Sequence, residues 1–130
     1  RFDTSGSARD ARQLLKAASA GESLGFFPEG TFVEAPGLDR FRPGAFAAAI
    51  KAGVPVVPVA ISGTRYVLPA GRILPRHGHF EIDVLNPIDQ ADPAYSDSRE
   101  LAAAARKRIL EVLDEPDLLA AQIEQTEPDI

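Results

Sequence analysis

The spacing of apolar residues along the chain predicts three helices. Segments 7–20 and 43–52, and the stretch that follows Asp97, repeat apolar side chains every three or four positions, which is the period of one helix face. Gly21 and Gly53 come after the first two helices as stop signals, Pro43 suits the first turn of the second, and Pro116 ends the third. The predicted buried positions are Ala11, Leu14, Leu15, Ala18, Ala45, Phe46, Ala49, Ile50, Leu101, Ala105, Ile109, Val112 and Leu113.

Two apolar runs and one alternating run predict strands. Segment 23–27 is short and mainly apolar, which is typical of a strand covered on both faces, and 54–62 gives the strongest strand signal in the chain. Segment 80–84 alternates, which is typical of a half-exposed strand. The order strand, helix 43–52, strand predicts a right-handed βαβ unit with parallel strands. We therefore expect an α/β fold with a mainly parallel sheet flanked by helices. The carboxyl ends of both strands are then expected at one edge, where ligands bind in open α/β sheets.

The remaining segments set the expected domain organisation. Residues 28–43 form a long loop rich in proline, glycine and charge, and loops of this length are usually functional or disordered. Residues 66–78 are expected to be irregular. We expect one domain over residues 1–115 and an acidic tail over 116–130, the tail consisting of a short helix followed by disorder.

Composition excludes several classes of site. With 130 residues, 45% of them hydrophobic and 25% charged, the chain fits one soluble globular domain. It has no cysteine, which excludes disulfides, zinc–thiolate sites and thiol nucleophiles. No apolar run is long enough to span a bilayer. The absence of methionine, including at position 1, leads us to expect a processed chain or a piece of a longer one.

Charge is unevenly distributed along the chain. The net charge of −5 argues against nucleic acid as a general partner. Segment 40–80 nevertheless has no acidic residue and holds Arg40, Arg42, Lys51, Arg65, Arg72 and Arg76. This clustering is compatible with chance on a solvated surface. It is equally compatible with a positive face for phosphate or for an anionic membrane surface.

The sequence Pro28-Glu29-Gly30-Thr31 directly follows the predicted strand 23–27. It can be an ordinary polar turn with a solvated carboxylate, or a substrate site at a strand end. The chain has no phosphate loop, no dinucleotide-binding fingerprint and no nucleophile elbow. His77 and His79 flank Gly78 without a third ligand nearby, so a metal site is not expected there.

Three blocks at this spacing resemble the glycerolipid acyltransferase family, best known as 1-acylglycerol-3-phosphate acyltransferases. The blocks read FPEGTF at 27–32, FRPGAF at 41–46 and AGVPVVPVAISGTR at 52–65, and the resemblance extends over about residues 1–90. The first block matches the family's Phe-Pro-Glu-Gly-Thr motif, which includes Phe27 and Pro28. The last matches its apolar strand, with Pro55 and Pro58 at the proline positions.

The resemblance also indicates which part of a catalytic domain the chain represents. Arg1 falls where the family has an arginine that precedes a helix. The family's His-x-x-x-x-Asp motif, whose histidine is the general base, is absent from the printed sequence, because neither His77 nor His79 has an aspartate five residues on. We expect that motif upstream of Arg1. The chain then resembles the C-terminal, acceptor-binding part of a catalytic domain, and we expect it to be inactive alone.

Roles for the candidate residues follow from the resemblance and from charge. A carboxylate repels phosphate, so Glu29 is expected to accept a hydrogen bond from a substrate hydroxyl or from an arginine that grips the phosphate. As a solvated loop carboxylate it is expected to add little to stability. The backbone N–H groups of Gly30 and Thr31 are expected to approach an oxyanion. Positive charge is expected from Arg1, helped by Arg42 or Arg65.

Two functions remain open at this point. The first is transfer of a fatty acyl group from acyl-CoA or acyl carrier protein to a lysophospholipid or glycerol-phosphate hydroxyl, without a metal or bound cofactor. The resemblance implies that such a protein is cytoplasmic and peripheral to the inner face of the membrane. The second is a non-catalytic module that binds phosphate or a lipid headgroup.

Overall fold

The chain folds into five helices, one 3-10 turn and a small sheet within the described part of a computed structural model, which covers residues 8–30 and 35–126. The elements in chain order are α1 (Ala8–Ser19), α2 (Gly44–Ala52), β1 (Val59–Ser62), α3 (Thr64–Val67), β2 (Glu81–Val84), a 3-10 helix (Pro93–Ser96), α4 (Ser98–Val112) and α5 (Leu118–Thr126). The helices predicted at 7–20, at 43–52 and after Asp97 are confirmed.

Helix boundaries follow the local signals in the sequence. Gly21 and Gly53 adopt left-handed backbone conformations, with φ of 83° and 68°. In each case the residue after the glycine donates its N–H to a carbonyl five residues back, at 3.1 Å, as in a Schellman motif. Asp97 caps α4 because its side chain accepts from the N–H groups of Arg99 and Glu100, at 2.8 and 3.2 Å.

Strands β1 and β2 pair antiparallel, with Val59 opposite Val84 and Ser62 opposite Glu81. The pairing continues beyond both strands, since the N–H of Leu85 donates to the carbonyl of Pro58 at 2.9 Å. It resumes at a bridge between Val56 and Ile88. One extra residue therefore lies on the second strand between these two points. This is a β-bulge at positions 86–87, where Pro87 has no N–H for a regular ladder.

The predicted parallel sheet is not confirmed. Residues 23–27 form no strand, and Phe26 and Phe27 are 43% and 84% exposed, so the expectation that both faces of this segment are covered is wrong. A strand requires hydrogen bonds to a neighbouring strand, and residues 23–27 have no such partner among the described residues. The sheet described here is two-stranded and antiparallel, and it pairs the 54–62 segment with residues C-terminal to it. The combination of helices and strands agrees with the α/β class, but among the described residues no two parallel strand ends share one edge of a sheet.

Helix α4 lies at the centre of the fold. It packs against α2, β1 and the 3-10 helix, and α1 packs against α2. The core comprises Leu38, Phe41, Phe46, Ala60, Ile88, Tyr95, Leu101, Ala102, Ala105 and Ile109. Tyr95 fixes the end of α2, because its hydroxyl lies 2.6 Å from the carbonyl oxygen of Val54. Burial raises the pKa of Tyr95, so the hydroxyl remains a proton donor.

The predicted acidic tail starts with packed structure. Asp117 forms a parallel bridge with Leu38, and α5 begins at the next residue. The short helix expected in this segment is present, and the disorder expected after it falls on positions 127–130, outside the described residues. Within 8–30 and 35–126, no helix combines the length and apolarity needed to cross a bilayer.

Candidate functional site

The motif at 27–30 forms a tight turn. The N–H of Gly30 donates to the carbonyl of Phe27 at 3.1 Å, and Gly30 has φ of 70°. This bond occupies the N–H that was expected to face a substrate oxyanion, so that role for Gly30 is not supported in this structure. Thr31, the other expected donor, lies outside the described residues.

Arg42 lies directly over this turn. Its backbone N–H donates to the carbonyl of Pro28 at 2.8 Å. A Cβ atom on Gly30 would be 2.8 Å from Nε of Arg42 and 2.9 Å from its Cδ. Gly30 is therefore required both for its backbone conformation and for the space that the guanidinium occupies. Arg42 is exposed, and among the residues that the structure describes no carboxylate pairs with it.

Glu29 joins the two ends of the loop that follows the turn. Its Oε2 accepts a hydrogen bond from the backbone N–H of Asp39 at 3.0 Å, in a partly buried position. Hydrogen bonds to an ionised acceptor are stronger than neutral ones. The expectation of a merely solvated carboxylate is therefore wrong, because the carboxylate of Glu29 holds position 39 near the turn.

Arg106 supports the same loop from α4, and the sequence reasoning missed it. The residue is only 8% exposed. Its guanidinium donates to the carbonyls of Leu38 and Asp39 at 2.7 and 2.9 Å, and to both carboxylate oxygens of Asp117 at 2.5 and 3.2 Å. Hydrogen bonding to Arg106 lowers the pKa of Asp117 to about 2. A signal was available in the sequence, since Arg106 is four residues after Ala102 and three before Ile109, on one buried helix face.

Arg65 reaches the loop from α3, the short helix that follows β1. Its Nε lies 3.3 Å from Oε1 of Glu115, and its Nη2 lies 3.4 Å from the carbonyl of Gly37. The second carboxylate oxygen of Glu115 accepts the N–H of Gly37 at 3.0 Å. A Cβ atom on Gly37 would meet the side chain of Leu118 at 2.6 Å, so this close packing needs glycine. The charge of Arg65 is thus compensated by Glu115, whereas no described carboxylate compensates that of Arg42.

The other predicted site residues lie away from Glu29, Arg42 and Arg65, or outside the described residues. Arg1 lies outside the described residues. Pro58 is buried, whereas Pro55 is exposed and lines a hollow of 280 Å³ with Gly53 and Asp89. The rings of His77 and His79 are 6.2 Å apart. Among the described residues, no group of three potential ligands is placed to hold a metal ion.

This geometry makes the turn a cationic site of defined shape. Arg42 presents an exposed guanidinium over a turn whose glycine makes room for it. Glu29 and Arg106 fix the segment 38–39, three residues before Arg42. An exposed guanidinium can bind carboxylate or phosphate oxygens in a bidentate manner.

Comparison with known proteins gives the family. The sequence profile of the family described as Acyltransferase matches residues 1–62. The 1-acyl-sn-glycerol-3-phosphate acyltransferase of Salmonella typhimurium is 38% identical over 104 residues, which are 80% of this chain and 42% of that protein. The Escherichia coli protein of the same name is 38% identical over 102 residues, which are 78% of this chain and 41% of that protein.

A solved structure has the same fold. The 1-acyl-sn-glycerophosphate (LPA) acyltransferase PlsC of Thermotoga maritima superposes with a TM-score of 0.66 and 27% identity, over 95% of this chain and 48% of that one. The chain thus spans about two fifths of the length of the bacterial relatives it matches, 42% and 41%. The chain belongs to the acyltransferase family, alongside proteins named 1-acyl-sn-glycerol-3-phosphate acyltransferases.

Proposed function

We propose that the chain is the acceptor-binding part of an acyltransferase. The reaction moves a fatty acyl group from acyl-CoA or acyl carrier protein to the hydroxyl of a lysophospholipid such as 1-acylglycerol-3-phosphate. The acceptor oxygen attacks the thioester carbon, the C–S bond breaks, and the thiol leaves with the proton that the hydroxyl loses. The names of the relatives support this reaction, and the exposed guanidinium of Arg42 over Gly30 is the observation that carries the acceptor assignment.

Arg42 binds the acceptor phosphate in this proposal. A charge-assisted, bidentate contact fixes the phosphate, which positions the distant hydroxyl for reaction. Glu29 acts through the loop: by holding Asp39 it fixes the path of the chain into Arg42. Arg65 is a second candidate for the phosphate, although its contact with Glu115 reduces the charge it offers. Arg1 and Thr31 remain proposed contributors on the strength of the family resemblance.

Catalysis needs a general base that these 130 residues do not supply in the family's pattern. General base catalysis commonly contributes 10²–10⁴-fold. We therefore expect the isolated chain to bind a phosphate-bearing acceptor without transferring an acyl group. A gene product that joins a His-x-x-x-x-Asp motif to this sequence is expected to catalyse transfer. Because its acceptor is a membrane lipid, the protein is proposed to work at the membrane surface, peripheral to the inner face.

The test compares two neighbouring arginines. Arg42→Gln removes the proposed phosphate ligand, while Arg40→Gln removes an exposed cation two residues away. With a catalytically complete gene product, kcat/KM for 1-acylglycerol-3-phosphate is expected to fall about ten- to a hundredfold in Arg42→Gln, from the loss of a charge-assisted hydrogen bond. It should change little in Arg40→Gln.

Two results would overturn the proposal. Equal losses in both variants would show a general charge effect rather than a phosphate site. Retained binding of glycerol 3-phosphate without acyl transfer, even with the His-x-x-x-x-Asp motif present, would favour the non-catalytic binding module.

A further inference from the structure

The loop at 67–76, which we call the tip loop, is closed at its base. The backbone N–H of Arg76 donates to the carbonyl of Val67 at 2.8 Å, and a turn inside the loop is closed by the N–H of Arg72 and the carbonyl of Pro69 at 3.2 Å. Such compact loops with joined ends are packed by their own contacts and are frequently functional. The tip loop is therefore a defined projection rather than a loose connection.

Two adjacent aliphatic side chains of the tip loop are exposed. Ile73 is 94% exposed and Leu74 is 75% exposed, the two highest values among the exposed aliphatic residues of the described chain. Single exposed apolar residues are normal on protein surfaces. Two adjacent ones, held almost entirely in water by a loop with a fixed base, indicate a contact with another apolar phase.

Cations flank the aliphatic pair on both sides. Arg72 precedes it and Arg76 follows it, and no acidic residue occurs from position 40 to 80. The guanidinium of Arg76 lies 4.1 Å from the ring centroid of Tyr66, which is itself 57% exposed, and its Nε donates to the Tyr66 carbonyl. The base of the loop thus carries a fixed cation and an aromatic ring. Apolar side chains beyond a belt of cations and aromatics are the pattern of groups that enter a membrane interface.

We propose that the tip loop inserts Ile73 and Leu74 into an anionic lipid surface, with Arg72 and Arg76 at the level of the headgroup phosphates. The inference rests on the proposed function in one respect: an enzyme that acts on a lysophospholipid works at a lipid surface. A second copy of the chain is the less suitable occupant, since a stable dimer buries roughly 800 Å² per partner and two aliphatic side chains supply far less.

The first test measures vesicle binding. The 130-residue chain is sedimented with vesicles of phosphatidylcholine containing phosphatidylglycerol, and with phosphatidylcholine alone. Ile73→Ser combined with Leu74→Ser is expected to lower the partition coefficient about ten- to a hundredfold, given the apolar area removed. Val84→Ser, at a 70% exposed position on β2, is the matched control and should stay within about twofold. A loss in Val84→Ser equal to that of the double variant would place the contact on the sheet and overturn the proposal.

The second test separates charge from insertion. Each basic residue near an anionic surface adds an attraction that corresponds to about fivefold in binding. Arg72→Gln is expected to lose that factor on anionic vesicles and to lose nothing on neutral ones. Lys107→Gln, an exposed cation on α4, is the control. Equal losses for both variants would indicate attraction by overall charge and refute a specific role for the tip loop.

The third test measures whether position 74 enters the apolar part of the lipid surface. Because the chain has no cysteine, Leu74→Cys and Val84→Cys each give one labelling site for an environment-sensitive fluorophore. Anionic vesicles are expected to shift the emission of the label at position 74 to the blue and to leave that at 84 unchanged. No shift at 74, or a vesicle-independent shift that grows with protein concentration, would overturn the proposal, the latter in favour of self-association. None of these assays requires turnover, so their failure is distinct from failure of the proposed function.

Discussion

Gly30→Ala tests the acceptor site because the added methyl group would collide with the side chain of Arg42. The new Cβ atom would lie 2.8 Å from Nε, 2.9 Å from Cδ and 3.0 Å from Cζ of Arg42. These distances are too short for a stable contact. The exposed guanidinium is the flexible partner, so it moves while the turn stays in place. The variant thus displaces the proposed phosphate ligand without altering its charge.

The expected magnitudes follow from two separate effects. Gly30 has φ of 70°, and an L-residue in the left-handed region costs roughly 1–2 kcal/mol of stability. Displacement of Arg42 adds little to that cost, since exposed charges contribute little to stability. Loss of a charge-assisted hydrogen bond to phosphate is worth about 1.5–3 kcal/mol, or about ten- to a hundredfold in affinity.

Two other glycines provide matched controls. Gly21 has φ of 83° with nothing within 4 Å of its Cβ position, so Gly21→Ala introduces the strain without the contact. Gly25 also has open space at its Cβ position, and its φ is not in the left-handed region, so Gly25→Ala introduces neither effect. Urea unfolding should therefore show similar losses for Gly21→Ala and Gly30→Ala and little change for Gly25→Ala.

Calorimetric titration with glycerol 3-phosphate then separates the site from the strain. Only Gly30→Ala is expected to weaken binding. If Gly30→Ala bound the ligand as tightly as the unmodified chain, Arg42 would not be the ligand. If Gly21→Ala weakened binding equally, the effect would be one of overall stability.

Four further substitutions, at three residues, test the support of the site. Arg106→Met keeps the apolar stem but removes the donor of the Asp39 carbonyl and the guanidinium bonds to the Leu38 carbonyl and the Asp117 carboxylate, which keep the N–H groups of Leu118, and of Leu119 and Ala120, respectively. Urea unfolding should show a loss of roughly 1.5–3 kcal/mol; a loss below about 1 kcal/mol would contradict this role. The pKa of Asp117 is lowered from 3.8 to about 2, so its contribution to stability is present above pH 4 and lost as the pH falls through about 2. The free energy of unfolding of Asp117→Asn should therefore fall less than that of the unmodified chain as the pH is lowered from 4 to about 2. Equal falls in both proteins would argue against a stabilising Arg106–Asp117 pair. Glu29→Gln keeps an oxygen acceptor for Asp39 but removes the charge, so we expect a loss of about 1 kcal/mol in unfolding and a larger one in Glu29→Ala; equal stability of both to the unmodified chain would show that the contact is unimportant.

The helices could be predicted from the sequence because their signals are local. The apolar period, the glycines at 21 and 53, and the cap at Asp97 all act within a few residues of the helix they define, and the structure has helices at these places. The strand predicted at 23–27 depended on a pairing partner that no local pattern specifies. Its apolar run was real, but the described residues contain no ladder for it.

The site could be predicted only in part for the same reason. The motif 27–30 marked the turn, and the basic stretch contained Arg42, yet nothing in the sequence placed Arg42 over Gly30. Glu29 contacts Asp39, which is 10 positions away in the sequence. Arg106 contacts the same residue from 67 positions away. These contacts depend on how the loop packs on α4, which no local sequence pattern specifies. The sequence therefore predicted a solvated carboxylate for Glu29.

The most direct measurement is a nuclear magnetic resonance titration of the ¹⁵N-labelled chain with glycerol 3-phosphate. We expect the Nε–H signal of Arg42 and the amide signal of Gly30 to shift in a saturable manner, and glycerol at equal concentration to leave both unchanged. The side-chain signal of Arg72, on the tip loop, should stay in place. Saturable shifts at Arg72 with none at Arg42 would contradict the assignment of the acceptor phosphate to the turn.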